Sequence, residues 1–374
     1  MNPSAPLSVV HVLAPARFGG LETVLHHLAT GLHGDDRVDV TVVPVLGLSE
    51  AAEHPFVRGF DGTDVRIVPV EIPGRGYRAE RRAVREILVK VGASVLHTHG
   101  YRPDVMDSGV AARLRIPRVT TVHGFTGGGR RNRFYETLQR RVFRRFDGVI
   151  AVSAKLEREL VASGIPDSVV HVVRNAFPSD GKATDKSTAR SALGLPADKQ
   201  VVGWVGRLSH EKAPDVFVQA AAAVSAEDVH FSVIGSGPEL ERCRGLASEL
   251  GLSDRVHFHG QLDGAGTLLK AFDALALTSW TEGTPMVLLE AMARGVPIVS
   301  TAVGGIPDVV SDDEAWLMEA GDVAGISGAM TAILQNRDLA ASKATSARGR
   351  LERDLSIDSW VDRHVEIYRS LSES

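Results

Sequence analysis

The chain alternates twice between short apolar runs rich in valine and isoleucine and longer segments whose apolar residues recur at helical spacing. Runs of this composition are typical of parallel strands that are buried on both faces. The predicted strands are Val9–Leu13, Val38–Val45, Ser94–His97, Arg118–Val122, Val149–Val152 and Val169–Val173, then Val201–Val205, His230–Ile234, Arg255–Phe258, Ala274–Leu277, Pro297–Val299 and Ala315–Met318. The predicted helices are Leu21–Leu32, Glu80–Lys90, Pro103–Leu114, Phe134–Phe146 and Ala154–Ser163, then Asp215–Ser225, Pro238–Leu250, Pro285–Arg294, Val323–Gln335 and Ser356–Leu371. Two such series predict an α/β fold of two Rossmann-like domains, each a parallel sheet covered by helices.

A polar stretch at residues 179–200 interrupts this alternation, and its Ser, Asp, Lys, Gly and Thr content is typical of a linker. We therefore expect an N-terminal domain at 1–178, a linker at 179–200 and a second domain at 201–355, before a last helix within 356–374. Ligands of parallel sheets bind outside the carboxyl ends of the strands. If the strand ends of the two domains face each other, they form one central cleft.

Charge is divided unevenly, because residues 1–178 hold 24 Lys and Arg against 18 Asp and Glu, whereas residues 179–374 hold 18 against 28. The acidic second half argues against general nucleic-acid binding. The basic first half suits an anionic partner, either a phosphorylated acceptor or a lipid surface. The single cysteine, Cys243, excludes an internal disulfide and fits a reducing compartment. No apolar run approaches the roughly 20 residues that span a bilayer, and the first residues lack the order of a secretory signal, so we expect a cytoplasmic protein.

The segment Glu282-Gly-Thr-Pro-Met-Val-Leu-Leu-Glu290 joins a predicted strand to a predicted helix. Pro285 suits the first turn of a helix, and Gly283 allows a ligand to approach the amides at the helix start. The two carboxylates flank this turn, and each can accept hydrogen bonds from sugar hydroxyls. Isolated acidic residues would indicate only a solvated helix, but the Gly-Thr-Pro turn between them favours a ligand site.

This segment resembles the Glu-x7-Glu signature of the retaining glycosyltransferase family 4, whose members have the two-domain GT-B fold. The stretch from Gly295 to Asp308 is also similar to that family. The resemblance implies that Glu282 contacts donor sugar hydroxyls, that Glu290 binds the ribose hydroxyls, and that the last helix returns to the first domain. It further implies that the backbone at Gly283, Thr284, Pro285 and Met286 meets the sugar and the diphosphate.

The segment from Val205 to Lys212, Val-Gly-Arg-Leu-Ser-His-Glu-Lys, places two cations after a predicted strand. The guanidinium of Arg207 can fork to two phosphate oxygens, and the ammonium of Lys212 supplies a point charge. A Gly-Arg turn alone is common, but the segment resembles the family's Gly-Arg-Leu…Glu-Lys-Gly motif, which implies stabilisation of a leaving diphosphate. Ala213 stands where the family has glycine, a departure that we expect to be minor.

A glycine loop, Ile234-Gly-Ser-Gly-Pro-Glu239, lacks the third glycine of a dinucleotide-binding loop. It is similar to the family's Gly-x-Gly-Pro loop, which implies that Gly237 walls the nucleotide site. Leu262 follows the predicted strand Arg255–Phe258, in the region whose backbone reads the base in the family. We therefore assign Leu262 to the base.

In the first half, Phe18-Gly19-Gly20-Leu21-Glu22 follows the first predicted strand. Paired glycines permit positive φ and close backbone approach. The loop resembles the family's Gly-Gly-x-Glu loop, which implies that Gly19 and Gly20 lie near the donor diphosphate and the acceptor.

Histidines end two neighbouring predicted strands, at His97-Thr-His99 and at His123-Gly124. A histidine at a strand end is usually structural, but His123 matches the family histidine that contacts the primary hydroxyl of the sugar. His97 and His99 point the same way in a strand. They could form a metal pair, but we favour lining of the cleft or acceptor contact for His99, with Gly124 beside it. We predict no metal, because the chain lacks the Asp-x-Asp triplet of metal-dependent sugar transferases.

The segment Arg130–Phe146 holds seven arginines among its aromatic and aliphatic residues. A basic amphipathic helix can lie on an anionic bilayer. A surface helix that packs its apolar side on the sheet explains the same pattern. We therefore keep peripheral contact with the inner face of a membrane as a hypothesis.

The resemblance covers nearly the whole chain. It implies metal-independent, retaining transfer of a hexose from a nucleotide diphosphate sugar to a hydroxyl acceptor, with no bound cofactor. UDP is the default nucleotide, with GDP and ADP as alternatives, and the expected role is synthesis of cell-surface polysaccharide, glycolipid or glycoside. A nucleotide-sugar epimerase, a dinucleotide oxidoreductase and a non-catalytic sugar-nucleotide-binding protein remain open as alternative functions.

Overall fold

The computed structural model describes residues 5–17, 19–124, 130–179, 183–225 and 228–373, with the backbone alone for residues 130–133. Its internal contacts divide the chain into two compact units. Unit 1 comprises Met1–Asn175 and Ile357–Ser374, and unit 2 comprises Ala176–Ser356. No helix among the described residues combines the length and the apolar character needed to cross a membrane.

Unit 1 is built on an eight-stranded sheet in which every pairing is parallel. Its strands are β1 (Leu7–Leu13), β2 (Val38–Leu46), β3 (Arg66–Ile67), β4 (Val70–Glu71), β5 (Val95–His99), β6 (Arg118–Val122), β7 (Gly148–Ala151) and β8 (Val170–Val172). They are ordered β3-β2-β1-β5-β6-β7-β8, with β4 paired to β2. The helices are α1 (Gly20–His33), α2 (Pro55–Arg58), α3 (Tyr77–Lys90), α4 (Tyr101–Met106), α5 (Ser108–Leu114), α6 (Arg130–Phe143) and α7 (Ala154–Ala162). Parallel strands need crossover connections, and these helices supply them.

Unit 2 is built on a six-stranded parallel sheet. Its strands are β9 (Gln200–Val205), β10 (Val229–Ile234), β11 (Val256–Gly260), β12 (Ala274–Leu277), β13 (Ile298–Thr301) and β14 (Trp316–Met318), in the order β11-β10-β9-β12-β13-β14. The helices are α8 (Lys186–Ala192), α9 (Pro214–Ala223), α10 (Leu240–Glu249), α11 (Met286–Arg294), α12 (Ile306–Val309), α13 (Val323–Gln335) and α14 (Arg337–Asp354). The predicted class, two Rossmann-like domains with parallel sheets, is confirmed.

The C-terminal helix (Ile357–Ser372) packs on α1 within unit 1. A β-carbon on Gly31 of α1 would lie 2.8 Å from a methyl of Val361 and 2.9 Å from a methyl of Ile357. The close approach of the two helices therefore depends on the absence of a side chain at Gly31. Buried aromatic and aliphatic side chains of this helix complete the core of unit 1.

The structure contains elements that the sequence did not predict, and it divides one predicted helix. Part of the expected linker, 179–200, is helix α8, whose Arg190 is buried and bonded to the carbonyl of Ala271 and the carboxylate of Asp273. The short strands β3 and β4, the short helices α2 and α12 and the long helix α14 were not predicted. The predicted helix Pro103–Leu114 is divided at Asp107 into α4 and α5.

Candidate active site

The sheet of unit 2 has a point where the direction of winding reverses. From β9 the chain moves outward to β10 and β11, and it then returns to the other side of β9 to form β12. In open α/β sheets, ligands bind outside the carboxyl ends of the strands at such a point. The loops that leave β9 and β12 here carry the predicted residues Arg207, Lys212 and Glu282.

The structure brings Lys212 and Glu282 together. The Nζ of Lys212 lies 2.7 Å from both carboxylate oxygens of Glu282, and the hydroxyl of Ser279 donates to Oε1 of Glu282 over 2.7 Å. The side chain of Glu282 is 6% exposed and that of Lys212 is 29% exposed. An ammonium has three N–H donors, so this ion pair fixes the position of Nζ and leaves one donor for a ligand oxygen.

Buried hydrogen bonds hold the β9 and β12 loops against each other. The hydroxyl of Thr278 donates to the carbonyl of Ala213 over 2.8 Å and accepts from Nε1 of Trp204 at 3.1 Å. The backbone N–H of Trp280 donates to the carbonyl of Glu211 over 2.8 Å. Because these bonds lie on either side of the Lys212–Glu282 pair, they prevent the two charged residues from separating.

Ala213 adopts the left-handed conformation, with φ 46° and ψ 53°. This conformation costs a residue with a β-carbon about 1–2 kcal/mol and suits glycine. Ala213 therefore adopts a backbone conformation that glycine at this position would adopt without this cost. The methyl of Ala213 is fully buried in the core of unit 2, which offsets part of the cost.

The glycine loop after β10 lies directly against the Arg207 loop. The N–H of Leu208 donates to the carbonyl of Ser236 over 3.0 Å, and the N–H of Glu239 donates to the carbonyl of Leu208 over 3.0 Å. A β-carbon on Gly237 would lie 2.2 Å from the carbonyl oxygen of Leu208, so the contact requires glycine. The side chain of Arg207 is exposed, and Leu262 is half-buried after β11.

The turn before α11 is supported from the loop that follows β13. Helix α11 begins at Met286, so Pro285 occupies the N-cap rather than the first turn. The N–H of Gly305 donates to the carbonyl of Gly283 over 3.1 Å. Gly304 has φ 61°, and a β-carbon there would lie 1.8 Å from the carbonyl oxygen of Glu282. The loop after β13 therefore sets the backbone of the predicted sugar-binding segment, in which Thr284 is also buried.

Glu290 lies on α11, and its carboxylate lies against the 3-10 segment Ala265–Ala271. A β-carbon on Gly266, in the 3-10 segment Ala265–Ala271, would lie 2.5 Å from Oε2 of Glu290. Burial raises the pKa of Glu290, and the nearby charge of Arg294 opposes this rise. The carboxylate therefore occupies a small space that Gly266 leaves open in this 3-10 segment.

Unit 1 contains a buried histidine cluster at the carboxyl ends of β1 and β5. Nδ1 of His11 lies 2.9 Å from Nε2 of His99, and the rings of His97 and His99 stack at 4.2 Å. Nδ1 of His97 lies 2.7 Å from the hydroxyl of Tyr368 on the C-terminal helix, and its Nε2 lies 2.8 Å from Oγ1 of Thr121. The prediction that His97 and His99 point the same way is confirmed.

The cluster favours neutral imidazoles. Burial, together with the charge of His364, lowers the pKa of His11 to about 3 and that of His123 to about 4. Burial lowers the pKa of His364 to about 4, and the pKa values of His97 and His99 lie well below 6.5 for the same reason. Nδ1 of His99 and Nε2 of His123 are buried, and the described residues offer neither a hydrogen-bond partner.

His11, His97 and His99 are also the described residues that could hold a metal, because each offers a ligand nitrogen within 4.8 Å of the others. Both nitrogens of His97 already meet hydroxyls, and one nitrogen of His11 is bonded to His99. Metal binding would therefore require His97 to give up one of these contacts.

The predicted glycines of unit 1 do not use positive φ at the start of α1. Gly19 is extended, with φ 174°, and Gly20 is the first residue of α1. The expectation of positive φ at Gly19 was therefore wrong, and a β-carbon there would lie 2.4 Å from Oε2 of Glu22, the end of a flexible side chain. Gly124 has φ 122° and is exposed beside His123. Phe18 lies outside the described residues.

Two family models match consecutive parts of the chain. The model described as Glycosyltransferase Family 4 matches residues 18–180, and the model described as Glycosyl transferases group 1 matches residues 185–350.

The chain belongs to glycosyltransferase family 4.

This family 4 glycosyltransferase has relatives with different acceptors in their names. It is 29% identical over 293 residues to the N-acetyl-alpha-D-glucosaminyl L-malate synthase of Bacillus anthracis, a match that covers 76% of each chain. It is 37% identical over 225 residues to the 2-deoxystreptamine N-acetyl-D-glucosaminyltransferase of Streptomyces fradiae, a match that covers 57% of this chain and 51% of the relative.

Solved structures show the same fold. The crystal structure of Anabaena HepE in complex with UDP and glucose has a TM-score of 0.83 at 20% identity, over 98% of this chain and 100% of that one. The sucrose-phosphate synthase of Thermosynechococcus elongatus has a TM-score of 0.78 at 20% identity, over 98% and 99% of the two chains. The GT-B fold expected for a family 4 glycosyltransferase is thus confirmed.

Sequence reasoning missed several residues of this glycosyltransferase that organise the two sites. Ser279 and Thr278 follow β12 and fix Glu282 and the β9 loop, and their polar character directly after an apolar strand was a usable signal. His11 interrupts the apolar strand β1, which also could have been noticed. Tyr368 could not have been placed, because its contact with His97 spans 271 residues of sequence.

Proposed function

We propose that this glycosyltransferase transfers a hexose from a nucleotide diphosphate sugar, a UDP-sugar first and a GDP-sugar second, to an acceptor hydroxyl with retention of configuration. The Lys212–Glu282 pair at the reversal point of the unit 2 sheet is the observation that carries this proposal. The complexes of HepE with UDP and with UDP-glucose support the choice of nucleotide.

The donor residues follow from the unit 2 loops. Arg207 and the remaining N–H of Lys212 face the diphosphate, and Gly237 keeps the neighbouring loop close enough to wall it. The backbone from Gly283 to Met286 and the carboxylate of Glu282 contact the sugar. Glu290 accepts hydrogen bonds from the ribose hydroxyls, and the backbone near Leu262 contacts the base.

The chemical step breaks the bond between the anomeric carbon and the diphosphate oxygen and forms one from the acceptor oxygen to the same carbon. The acceptor proton passes to the departing diphosphate oxygen on the same face, which retains configuration. Arg207 and Lys212 stabilise the charge that develops on the leaving group, and fixed charges of this kind lower the barrier without reorganisation. Because these residues supply the positive charge, the proposed reaction is independent of a metal and of a cofactor.

Unit 1 supplies the acceptor side in this proposal. His123 contacts the transferred sugar, and the buried Nδ1 of His99 and the exposed backbone of Gly124 meet the acceptor. An acceptor hydroxyl can satisfy an imidazole nitrogen that has no partner within the described structure.

The function is tested with radiolabelled UDP-glucose, UDP-N-acetylglucosamine and GDP-mannose, each incubated with a mixture of sugars, cyclitols and hydroxy acids. We expect one donor to yield a labelled glycoside, and NMR of the anomeric proton to show the configuration of the donor. The variant Arg207→Ala should lower turnover at least tenfold, whereas Arg337→Ala, an exposed arginine of unit 2, should not. Interconverted nucleotide sugars without transfer would identify an epimerase, and tight donor binding without turnover would identify a binding protein.

We also propose that any contact of α6 with a membrane is electrostatic. Phe143 and Phe146 are buried in the core of unit 1, so the apolar side of this segment is occupied. Phe134 is 65% exposed, and Arg141, Arg144 and Arg145 are exposed further along the same segment. Vesicles with anionic lipid should sediment the protein at low salt and release it at high salt, and sedimentation with neutral vesicles would contradict this.

A further inference from the structure

Three of the four tyrosines of the chain lie together in unit 1. The rings of Tyr101 and Tyr135 are 4.8 Å apart, and the guanidinium of Arg102 lies 5.6 Å from the centre of the Tyr77 ring. The pKa of Tyr101 is raised by burial and, secondarily, by the neighbouring phenols of Tyr135 and Tyr77. We call Tyr77, Tyr101 and Tyr135 the tyrosine patch.

The tyrosine patch lies at the carboxyl edge of the unit 1 sheet. Tyr77 opens α3 after β4, and Tyr101 opens α4 two residues beyond His99, the last residue of β5. Tyr135 lies on α6, the first helix after β6. His99 and His123, each with a buried nitrogen that lacks a partner within the described residues, end at the same edge. This is the edge where ligands of parallel sheets bind.

The patch is held in place by a buried ion pair. Nε and Nη2 of Arg102 donate to the carboxylate of Glu80 over 2.9–3.2 Å, and the side chain of Glu80 is fully buried. The carboxylate therefore neutralises the guanidinium and fixes it over Tyr77. As a result, the guanidinium of Arg102 adds little net charge to the patch.

The chemistry of the patch matches a hydroxylated ring. Aromatic faces pack on the C–H faces of a saturated ring, while phenol hydroxyls and imidazole nitrogens exchange hydrogen bonds with its hydroxyls. Tyr77 is 36% exposed, and Tyr101 and Tyr135 are half-buried, so part of each ring is accessible. An anionic group would find the charge of Arg102 already neutralised by Glu80.

We propose that the tyrosine patch is the subsite for an uncharged, polyhydroxylated ring of the acceptor. This inference rests on the proposed glycosyl transfer and names the class of its acceptor.

Fluorine NMR of protein labelled with 3-fluorotyrosine tests the proposal directly. The chain gives four resonances, which Tyr→Phe variants assign one at a time, and the fully buried Tyr368 is the internal control. With UDP present, we titrate myo-inositol, N-acetylglucosamine and methyl galactoside, and in parallel myo-inositol 1-phosphate. We expect at least one neutral ring to shift the resonances of the tyrosine patch and not that of Tyr368.

Unshifted patch resonances across the whole neutral panel at high millimolar concentration would overturn the proposal, as would shifts caused by the phosphate alone. For a ring that serves as acceptor, Tyr101→Ala should raise the acceptor KM about tenfold, and Tyr101→Phe should recover most of this loss. Unchanged thermal stabilisation by UDP in both variants separates this test from the donor site. If UDP stabilises the protein but the patch does not respond, the proposed transfer stands and the acceptor class is wrong.

Discussion

Acidification should unfold unit 1 through its histidine cluster. In the unfolded chain each imidazole titrates near 6.5, whereas in the folded unit the pKa is about 3 for His11, about 4 for His123 and His364, and well below 6.5 for His97 and His99. A histidine whose folded pKa is lowered contributes stability that is complete above 6.5. That stability is lost as the pH falls from 6.5 towards the folded pKa.

Two buried carboxyls of unit 1 act in the opposite direction. Burial raises the pKa of Asp104 to about 6, and burial together with the charge of Glu80 raises that of Asp107 to about 8. At pH values between 3.8 and their folded pKa, these carboxyls are protonated in the folded unit and ionised in the unfolded chain. Unfolding therefore releases their protons. Near pH 5, His11, His123 and His364 together gain about three protons on unfolding and the two carboxyls lose about two, a net uptake of about one proton, which His97 and His99 increase. At about 1.4 kcal/mol per proton and pH unit, the slope is therefore at least about 1.4 kcal/mol per pH unit.

Hydrogen exchange measured by mass spectrometry between pH 7 and pH 4.5, corrected for intrinsic rates, reports this slope for β1 and β5 separately from unit 2. A domain stability of about 5–15 kcal/mol would be exhausted within a few pH units. The variant His364→Phe should reduce the slope by about 1.4 kcal/mol per pH unit. Protection of β1 and β5 that is independent of pH over this range would refute the reasoning.

Three further predictions concern unit 2. Glu290→Gln should weaken nucleotide binding by a factor of about 10–100, because a charged hydrogen bond is lost. Calorimetry should also show that the affinity of the wild-type protein falls as the pH is lowered through the pKa of Glu290, which lies above 4.5. An unchanged affinity in the variant would exclude the assignment. Gly237→Ala should lower the free energy of unfolding in urea by about 1–3 kcal/mol, because its β-carbon meets the backbone of Leu208. The control Gly328→Ala, on the open surface of α13, should raise it by about 0.5–1 kcal/mol. Equal effects of the two variants would contradict this. Ala213→Gly should leave the free energy of unfolding within about 1 kcal/mol of the wild-type value, since relief of the left-handed conformation offsets the lost methyl contacts. A loss of several kcal/mol in the same assay would show that the conformation carries no strain.

Local pattern was enough to predict most of the strands and the loops that carry Arg207, Lys212 and Glu282. Parallel strands buried on both faces are continuous apolar runs, so β6 and β12 were predicted with their observed ends. Lys212 and Glu282 could be assigned to one site, because both follow strands whose carboxyl ends share an edge of the sheet. Their direct contact, however, depends on Ser279 and Thr278, which position the loops.

The elements that were not predicted lack a local signal. Helix α14 buries Ala340, Ala344, Ala347 and Leu351, and mostly small residues produce no strong apolar stripe. Helix α8 lies in a polar segment, and its anchor is Arg190, a charged residue that is buried through bonds to the carbonyls of Ala197 and Ala271. The histidine cluster depends on the register that pairs His11 with His97, and such long-range register cannot be read from local sequence.

Comparison of UDP with UMP tests the central claim most directly, which is that the loops after β9 and β12 bind the diphosphate of the donor. We predict that calorimetry finds UDP bound at least tenfold more tightly than UMP by the wild-type protein and by Arg337→Ala. In Arg207→Ala this ratio should fall towards one while the affinity for UMP changes little. A ratio that Arg207→Ala leaves intact, or the absence of any preference in the wild type, would contradict the account.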